Sequence, residues 1–278
     1  MALALAACGT AKLPPPPEAG ATLDESTVAV AYNPSAHAER RSYAAMVVDT
    51  RSGKILYEND ADDLRYPASL TKLMTLFIVF EDIKAGRISL DDSLYVSAYA
   101  ASRPPSRLGL KAGSTITLGD AVQALAVKSA NDVAAVIAEN VGGSEAAFSK
   151  RMTQMAAALG MSHTRYVNAS GLPDKQQITT ARDMAILGRA LKTRHPDLCR
   201  YFSARSFTYN GHTYRSTNRL LGKVPGVDGM KTGYIRDSGY NLVASAHRGR
   251  KSIIVVVIGG STGKARNDAV TKLVQRYL

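Results

Sequence analysis

Tryptophan is absent from the sequence, cysteine occurs twice in 278 residues, and aromatics of all kinds make up 6%. Two cysteines cannot staple a small disulfide scaffold, so the fold has to rest on an apolar core. No stretch approaches the roughly 18 consecutive apolar residues that a membrane-spanning helix requires. The histidines His37, His163, His195, His212 and His247 are isolated. None stands in an H-x-x-H or H-E-x-x-H pair, which leaves out the zinc-peptidase pattern, and no metal or other cofactor is expected. What is present is 45% hydrophobic and 21% charged residues, the composition of a folded globular domain. The length suits one large domain or two small ones. A net charge of +12 predicts an anionic partner. The basic residues are scattered, the densest cluster being Arg248, Arg250 and Lys251. With no basic–aromatic stripe beside them, nucleic acid is not the expected partner.

Residues 1–40 carry no clear period and read as leader plus linker, with prolines 14 to 17 as a stiff extended spacer. Residues 41–278 read as one folded domain. An apolar run at 43–49, a turn at 49–53 and residues 55–57 predict a β-hairpin. Residues 70–83 are apolar nearly all round and predict a buried helix. Thr117 with Asp120 three positions on signals a helix start. A break at 129–131 leads to a second helix at 133–140, closed by Gly142 and Gly143. Ser144 can cap a third helix, and Thr180 with Asp183 a fourth that runs to Leu191. Strands return near 207–209, 227–233, 241–246 and 253–258, with a turn at 248–250, before a closing helix at 265–277. Two strands, a helical insertion, three or four strands and a last helix predict an α+β fold, an antiparallel β-sheet flanked by helices.

Three short motifs carry the chemistry: Ser69-Leu70-Thr71-Lys72, Ser129-Ala130-Asn131 and Lys231-Thr232-Gly233. In the first, S-x-x-K opens a helix, and residues three apart share a helix face. Lys72 can therefore reach the Ser69 hydroxyl, a weak nucleophile until a base removes its proton. Lysine becomes that base when burial and a second cation, here Lys231, lower its pKa. The Ser69 backbone N–H stands at the positive end of the helix, where an oxyanion would be stabilised. Each motif alone is weak. Ser261-Thr262-Gly263-Lys264 is a second S-x-x-K, and Ser216-Thr217-Asn218 a second S-x-N. Context separates them, since only Ser69 opens a long buried helix and only Lys231 lies in a strand-borne K-T-G.

S-x-x-K, S-D-N and K-T-G together mark penicillin-binding proteins and class A β-lactamases. The segment Pro67-Ala68-Ser69-Leu70-Thr71-Lys72-Leu73-Met74-Thr75 resembles the nucleophile region of the low-molecular-mass penicillin-binding proteins, serine-type D-alanyl-D-alanine carboxypeptidases. Segments beginning at Ser129, Ala181, Val227 and Gly239 are similar to family segments in the same order. The resemblance runs from about Tyr43 onward and implies the penicillin-binding protein/β-lactamase-like fold. It also implies peptidoglycan stem peptides ending in D-Ala-D-Ala as substrate and β-lactams as covalent inhibitors. Position by position it implies Ser69 as nucleophile, Lys72 as base and Ser129 as proton relay. Asn131 would hold the substrate backbone, Lys231 and Thr232 would meet the terminal carboxylate, and Gly233 leads to Tyr234, whose N–H would join that of Ser69 in an oxyanion hole. Several relatives carry His at the Tyr234 position, and some place an Arg where this sequence has Thr217.

Leu5-Ala6-Ala7-Cys8-Gly9 resembles the lipobox of bacterial lipoproteins, which implies export and a lipid on Cys8, with Cys199 left as a buried thiol. Longer relatives continue into a β-rich domain with an amphipathic anchor. This sequence shows neither, and the lipid would take the anchor's place. The alternatives are a DD-endopeptidase cutting cross-links, a class A-like β-lactamase, and a catalytically silent wall-binding lipoprotein. The β-lactamase needs a Glu in an E-x-x-L-N segment, whereas Glu139 and Glu145 stand in no such segment. Gly259-Gly260-Ser261-Thr262-Gly263 matches a G-x-S-x-G elbow, but no His follows His247, so it reads as a glycine turn.

Overall fold

The computed structural model describes residues 11–13, 15 and 42–278. Strand β1 (Ala44–Asp49) turns back into β2 (Ile55–Asn59) through residues 50–54, where the Asp49 carboxylate accepts from the Ser52 N–H at 2.7 Å. The chain then forms α1 (Thr71–Lys84), β3 (Ser93–Tyr95), α2 (Ala98–Ala101), β4 (Thr115–Thr117) and α3 (Leu118–Gln123). Next come α4 (Asn131–Gly142), α5 (Glu145–Ala158), α6 (Ala181–Arg194) and α7 (Arg200–Ser203). The hairpin β5 (Ser206–Tyr209) and β6 (His212–Arg215) leads to β7 (Val227–Ile235), β8 (Gly239–Arg248), β9 (Lys251–Gly260) and the closing α8 (Gly263–Tyr277).

The main sheet is antiparallel, in the order β2-β1-β9-β8-β7. Its middle strand explains the uninterrupted apolar run Ile253–Ile258, because alternate side chains enter two different cores. Ile254, Val256 and Ile258 face the helices α1, α4, α5 and α6. Ile253, Val255 and Val257 face Val270 and Val274 of α8 on the other side. A strand covered on both faces loses the polar–apolar alternation of a half-exposed one. Helix α1 lies inside the larger core with Leu73, Met74, Leu76, Phe77, Ile78, Val79 and Phe80 fully buried. Each such side chain contributes about 1.5–3 kcal/mol.

The expected helix caps form: Thr117, Ser144 and Thr180 each accept from the backbone N–H three residues on. Thr262, inside the discarded second S-x-x-K, caps α8 in the same way. The sequence reading left out β3, β4, β6, α2 and α7, all three or four residues long. Elements of that length show too little period to be recognised. Residues 11–13, expected in the leader and linker, lie against the hairpin, where the Leu13 N–H donates to the Gly53 carbonyl at 2.9 Å. Prolines 14, 16 and 17 and Cys8 lie outside the described residues.

Candidate active site

Ser69 stands in a 3-10 turn, Ala68–Leu70, that feeds directly into α1. The turn needs a left-handed residue, Ala68 at φ 48°. Two glycines make room for it. A Cβ on Gly171 would fall 1.9 Å from the Ala68 carbonyl oxygen, and one on Gly233 would fall 3.1 Å from the Pro67 carbonyl oxygen and 3.2 Å from the Ser69 nitrogen. Strand β7 and the segment at 168–171 thus press on the nucleophile turn from two sides.

One helical turn after Ser69, Lys72 is fully buried. Its Nζ lies 3.1 Å from the Ser69 Oγ and donates to the Asn131 Oδ1 at 2.8 Å and to the Ser170 carbonyl oxygen. These are three acceptors for three protons. A neutral amine keeps two protons for the fixed acceptors on Asn131 and Ser170, which leaves its lone pair directed at the serine hydroxyl. The lysine pKa is held well below its ordinary value, first by burial and then by the positive charge of Lys231, against the opposing pull of Asp132 and Glu145.

The loop between α3 and α4 is shaped to support this amine. A π-helical turn, Ala124–Lys128, ends on Ser129 in the left-handed region at φ 63°. Asn131 engages both ends of its amide, the Oδ1 with Lys72 and the Nδ2 with the Pro104 carbonyl at 2.9 Å. The buried Asp132 carboxylate accepts from the N–H groups of Leu108, Gly109 and Leu110 at 2.9, 2.8 and 3.1 Å. Residues 104–110 are thereby pinned to the start of α4.

On β7, Lys231 is 1% exposed and donates to the Thr232 carbonyl at 2.9 Å. Burial and the neighbouring Arg266 push its pKa down to about 7. Arg266, 6% exposed on α8, is itself lowered to about 10 by burial. It donates to the Asn241 carbonyl and the Asn267 Oδ1. The Thr232 hydroxyl donates to that of Thr217 at 2.7 Å, so the Thr217 of the discarded second S-x-N belongs to the site. Ser69, Ser129, Thr217, Thr232, Gly233, Tyr234 and Arg266 line one cavity of about 230 Å³, while Lys72, Asn131 and Lys231 lie beneath its wall. Tyr234 is half exposed and packs on Tyr240 at 4.4 Å between ring centroids.

The three motifs, 59 residues apart at Lys72 and Asn131, therefore meet around one hydroxyl. The arrangement supplies a nucleophile, a lysine base whose pKa is held well below its ordinary value by burial and the Lys231 charge, and a cationic end for an anion. Sequence reasoning missed the Ser170 carbonyl and Arg266. The run Asn168-Ala169-Ser170-Gly171 did carry a turn signal, since the Asn168 Oδ1 accepts from the N–H groups of Ser170 and Gly171. A lone arginine in a closing helix carries none.

A family model described as D-alanyl-D-alanine carboxypeptidase matches residues 30–262. The carboxypeptidase DacF of Bacillus subtilis is 35% identical over 241 residues, covering 83% of this chain and 60% of that protein. A D-alanyl-D-alanine endopeptidase of Pseudomonas aeruginosa is 30% identical over 284 residues, covering 99% of this chain and 85% of that protein. Among solved structures, penicillin-binding protein D2 of Listeria monocytogenes in its ampicillin-bound form superposes with a TM-score of 0.74 at 34% identity, over 88% of this chain and 99% of that one. The chain spans about 60% of the length of the first of these relatives. A family match across most of the sequence, on a fold that gathers all three motifs, leads to one assignment: the chain belongs to the D-alanyl-D-alanine carboxypeptidase family.

Proposed function

We propose that the chain is a serine-type D-Ala-D-Ala carboxypeptidase acting on peptidoglycan stem peptides through a Ser69 acyl-enzyme, and that β-lactams acylate the same serine. The observation that carries this reading is the buried Lys72 amine 3.1 Å from the Ser69 hydroxyl, with its pKa depressed. Neutral Lys72 takes the hydroxyl proton as the Ser69 Oγ attacks the penultimate D-Ala carbonyl carbon. The oxyanion develops between the N–H groups of Ser69 and Tyr234, at the start of α1. Collapse breaks the amide C–N bond. The proton passes through Ser129 to the leaving nitrogen, and free D-Ala departs. Water then hydrolyses the Ser69 ester.

The departing residue ends in a carboxylate, for which Thr232 and Arg266 in the cavity wall supply hydroxyl and charge, with the Lys231 charge beneath them. With a pKa of about 7, Lys231 is partly neutral in the free protein near neutrality. An anion beside it favours the ammonium form, so binding completes its charge. Glu139 and Glu145 are committed elsewhere. Glu139 accepts from the Ser97 hydroxyl at 2.7 Å, and Glu145 from the Ala169 N–H at 3.0 Å and the Tyr99 hydroxyl at 2.6 Å. This favours slow release of a β-lactam acyl group over rapid turnover. We also propose export to the periplasm or the outer face of the cytoplasmic membrane, with a lipid anchor on Cys8. Support comes from the lipobox-like segment and from a substrate that lies outside the cytoplasm.

The test is mass spectrometry of muropeptides with labelling by a fluorescent penicillin. Wild-type protein is expected to remove one Ala from pentapeptide monomers and to carry the label, and Ser69→Ala to do neither. D-Ala release by Ser69→Ala at the wild-type rate would end the mechanism.

A further inference from the structure

The two fixed acceptors of Lys72 come from separate parts of the chain, Asn131 at the start of α4 and Ser170 in the 168–171 turn. Each is held in turn by a neighbour. Ser170 follows Ala169, whose carbonyl accepts from the Thr75 hydroxyl at 2.8 Å and whose N–H donates to the Glu145 Oε1 at 3.0 Å. The Asn131 amide is anchored on the Pro104 carbonyl at 2.9 Å. Just before Pro104, the Arg103 guanidinium lies 3.7 Å from the centre of the Tyr99 ring, and the Tyr99 hydroxyl donates to the Glu145 Oε2 at 2.6 Å. One carboxylate therefore bridges the two segments that hold the base. Glu145 opens α5 behind the Ser144 cap, so the helix fixes the backbone from which it reaches.

A neutral Lys72 amine has two protons and one lone pair to place. With Asn131 and Ser170 fixed, the protons go to them and the lone pair faces Ser69. If either acceptor drifts, a proton can turn toward the serine oxygen and the base is misdirected. Hydrogen bonds behind the reacting groups are what hold such an aim. The Glu145 charge reaches the amine as well. Glu145 and Asp132 favour the ammonium form of Lys72, against burial and the charge of Lys231. On its other side Glu145 faces Tyr99, with Arg103 and Glu139 nearby. Burial and the bond to Glu145 raise the Tyr99 pKa, so the phenol keeps the proton it donates.

We propose that Glu145 is a positioning residue of the Ser69 site, one that ties down both acceptors of Lys72 through the Ala169 N–H and the Tyr99 hydroxyl. The proposal rests on the Ser69 acyl-enzyme reading. It assigns Glu145 no contact with substrate and no proton transfer. Its part is to keep the lone pair of the base on the nucleophile.

The experiment measures acylation by fluorescent penicillin against pH for wild-type protein, Glu145→Ala, Glu145→Gln and Tyr99→Phe, with thermal unfolding of each. Glu145→Ala releases both acceptors and is expected to slow acylation by as much as about 100-fold. Glutamine still offers an oxygen to the Ala169 N–H and an amide to the Tyr99 oxygen, so Glu145→Gln should recover most of that loss. Having no charge, it also lets the Lys72 pKa fall, and the rising limb of the rate should move to lower pH. Tyr99→Phe loosens the Asn131 side alone and should slow acylation less than Glu145→Ala does. Added to Glu145→Ala it should cost nothing further, because the hydroxyl works through the carboxylate. Glu145→Ala that unfolds earlier yet acylates at the wild-type rate would make Glu145 a structural residue only and overturn the proposal. Glu145→Gln as slow as Glu145→Ala, or with a limb that does not move down, would overturn it too. Wild-type protein that takes up no penicillin would instead overturn the Ser69 reading beneath it.

Discussion

Replacing Gly171 by alanine places a methyl carbon 1.9 Å from the Ala68 carbonyl oxygen, 2.3 Å from its carbon and 2.9 Å from the Ser69 nitrogen. These are backbone atoms that cannot swing aside, and they belong to the turn that presents the nucleophile. Gly171 also sits at φ +83°, where an L side chain is disfavoured whatever the space. The left-handed conformation costs about 1–2 kcal/mol, and forcing the methyl into the packed contact about 1–3 kcal/mol more. Gly86 separates the two contributions, because it has φ +69° but nothing within 4 Å of an added Cβ. Gly86→Ala should therefore lose only the conformational part, with acylation intact. Gly171→Ala should lose about 2–5 kcal/mol in total, a fall in Tm of roughly 5–15 °C for a domain of this size. It should also acylate fluorescent penicillin about 100-fold more slowly, as expected when a reacting atom moves by about 1 Å. Stopped-flow labelling and thermal unfolding of both variants give the two numbers. Equal Tm and equal acylation rates for the two variants would refute the claim that the 168–171 segment sets the nucleophile turn.

Lys231→Ala removes the positive charge that, after burial, does most to lower the Lys72 pKa. Lys72 should then move back up toward its ordinary 10.5, so the rising limb of the acylation rate against pH shifts to higher pH. A limb that stays put or moves down would show that the two amines are not coupled. For the N-terminal anchor, cells fed a labelled fatty acid should incorporate it into wild-type protein and not into Cys8→Ser. Equal incorporation in both would remove Cys8 as the lipidated residue.

The periodic parts of the fold were legible because they are long. Helix α1 shows its burial in an almost unbroken apolar run, and α3, α5 and α6 announce their starts through Thr117, Ser144 and Thr180. The main sheet could be recognised from two hairpin turns, Asp49–Gly53 joining β1 to the edge strand β2 and Arg248–Arg250 joining β8 to the central β9. The site was legible as three motifs but not as a network. Ser170 acts through its carbonyl, which every residue possesses, so the sequence marks the turn at Asn168–Gly171 but not the part its carbonyl plays. Asn131 looked like a group waiting for substrate, and the structure shows both ends of its amide occupied by Lys72 and Pro104. Arg266 reaches the cavity from α8, whose apolar contacts lie on the far face of the sheet. Thr217, which stands where some relatives place an Arg, meets Thr232 because the chain after the β5–β6 hairpin returns beside β7. Such placements are products of tertiary folding, with no local residue pattern to announce them.

The division of the molecule into two apolar layers has a consequence for assembly. Nucleophile and base arise in the helical layer, while Arg266 is brought to the cavity by α8, which packs on β8 and β9 from the other face of the sheet. A folding chain that has buried its helices but not yet docked α8 holds Ser69 beside Lys72 without Arg266. If the thinner layer closes last, a covalent drug that needs the Arg266 charge would capture the chain only after that docking step, and not at the first collapse.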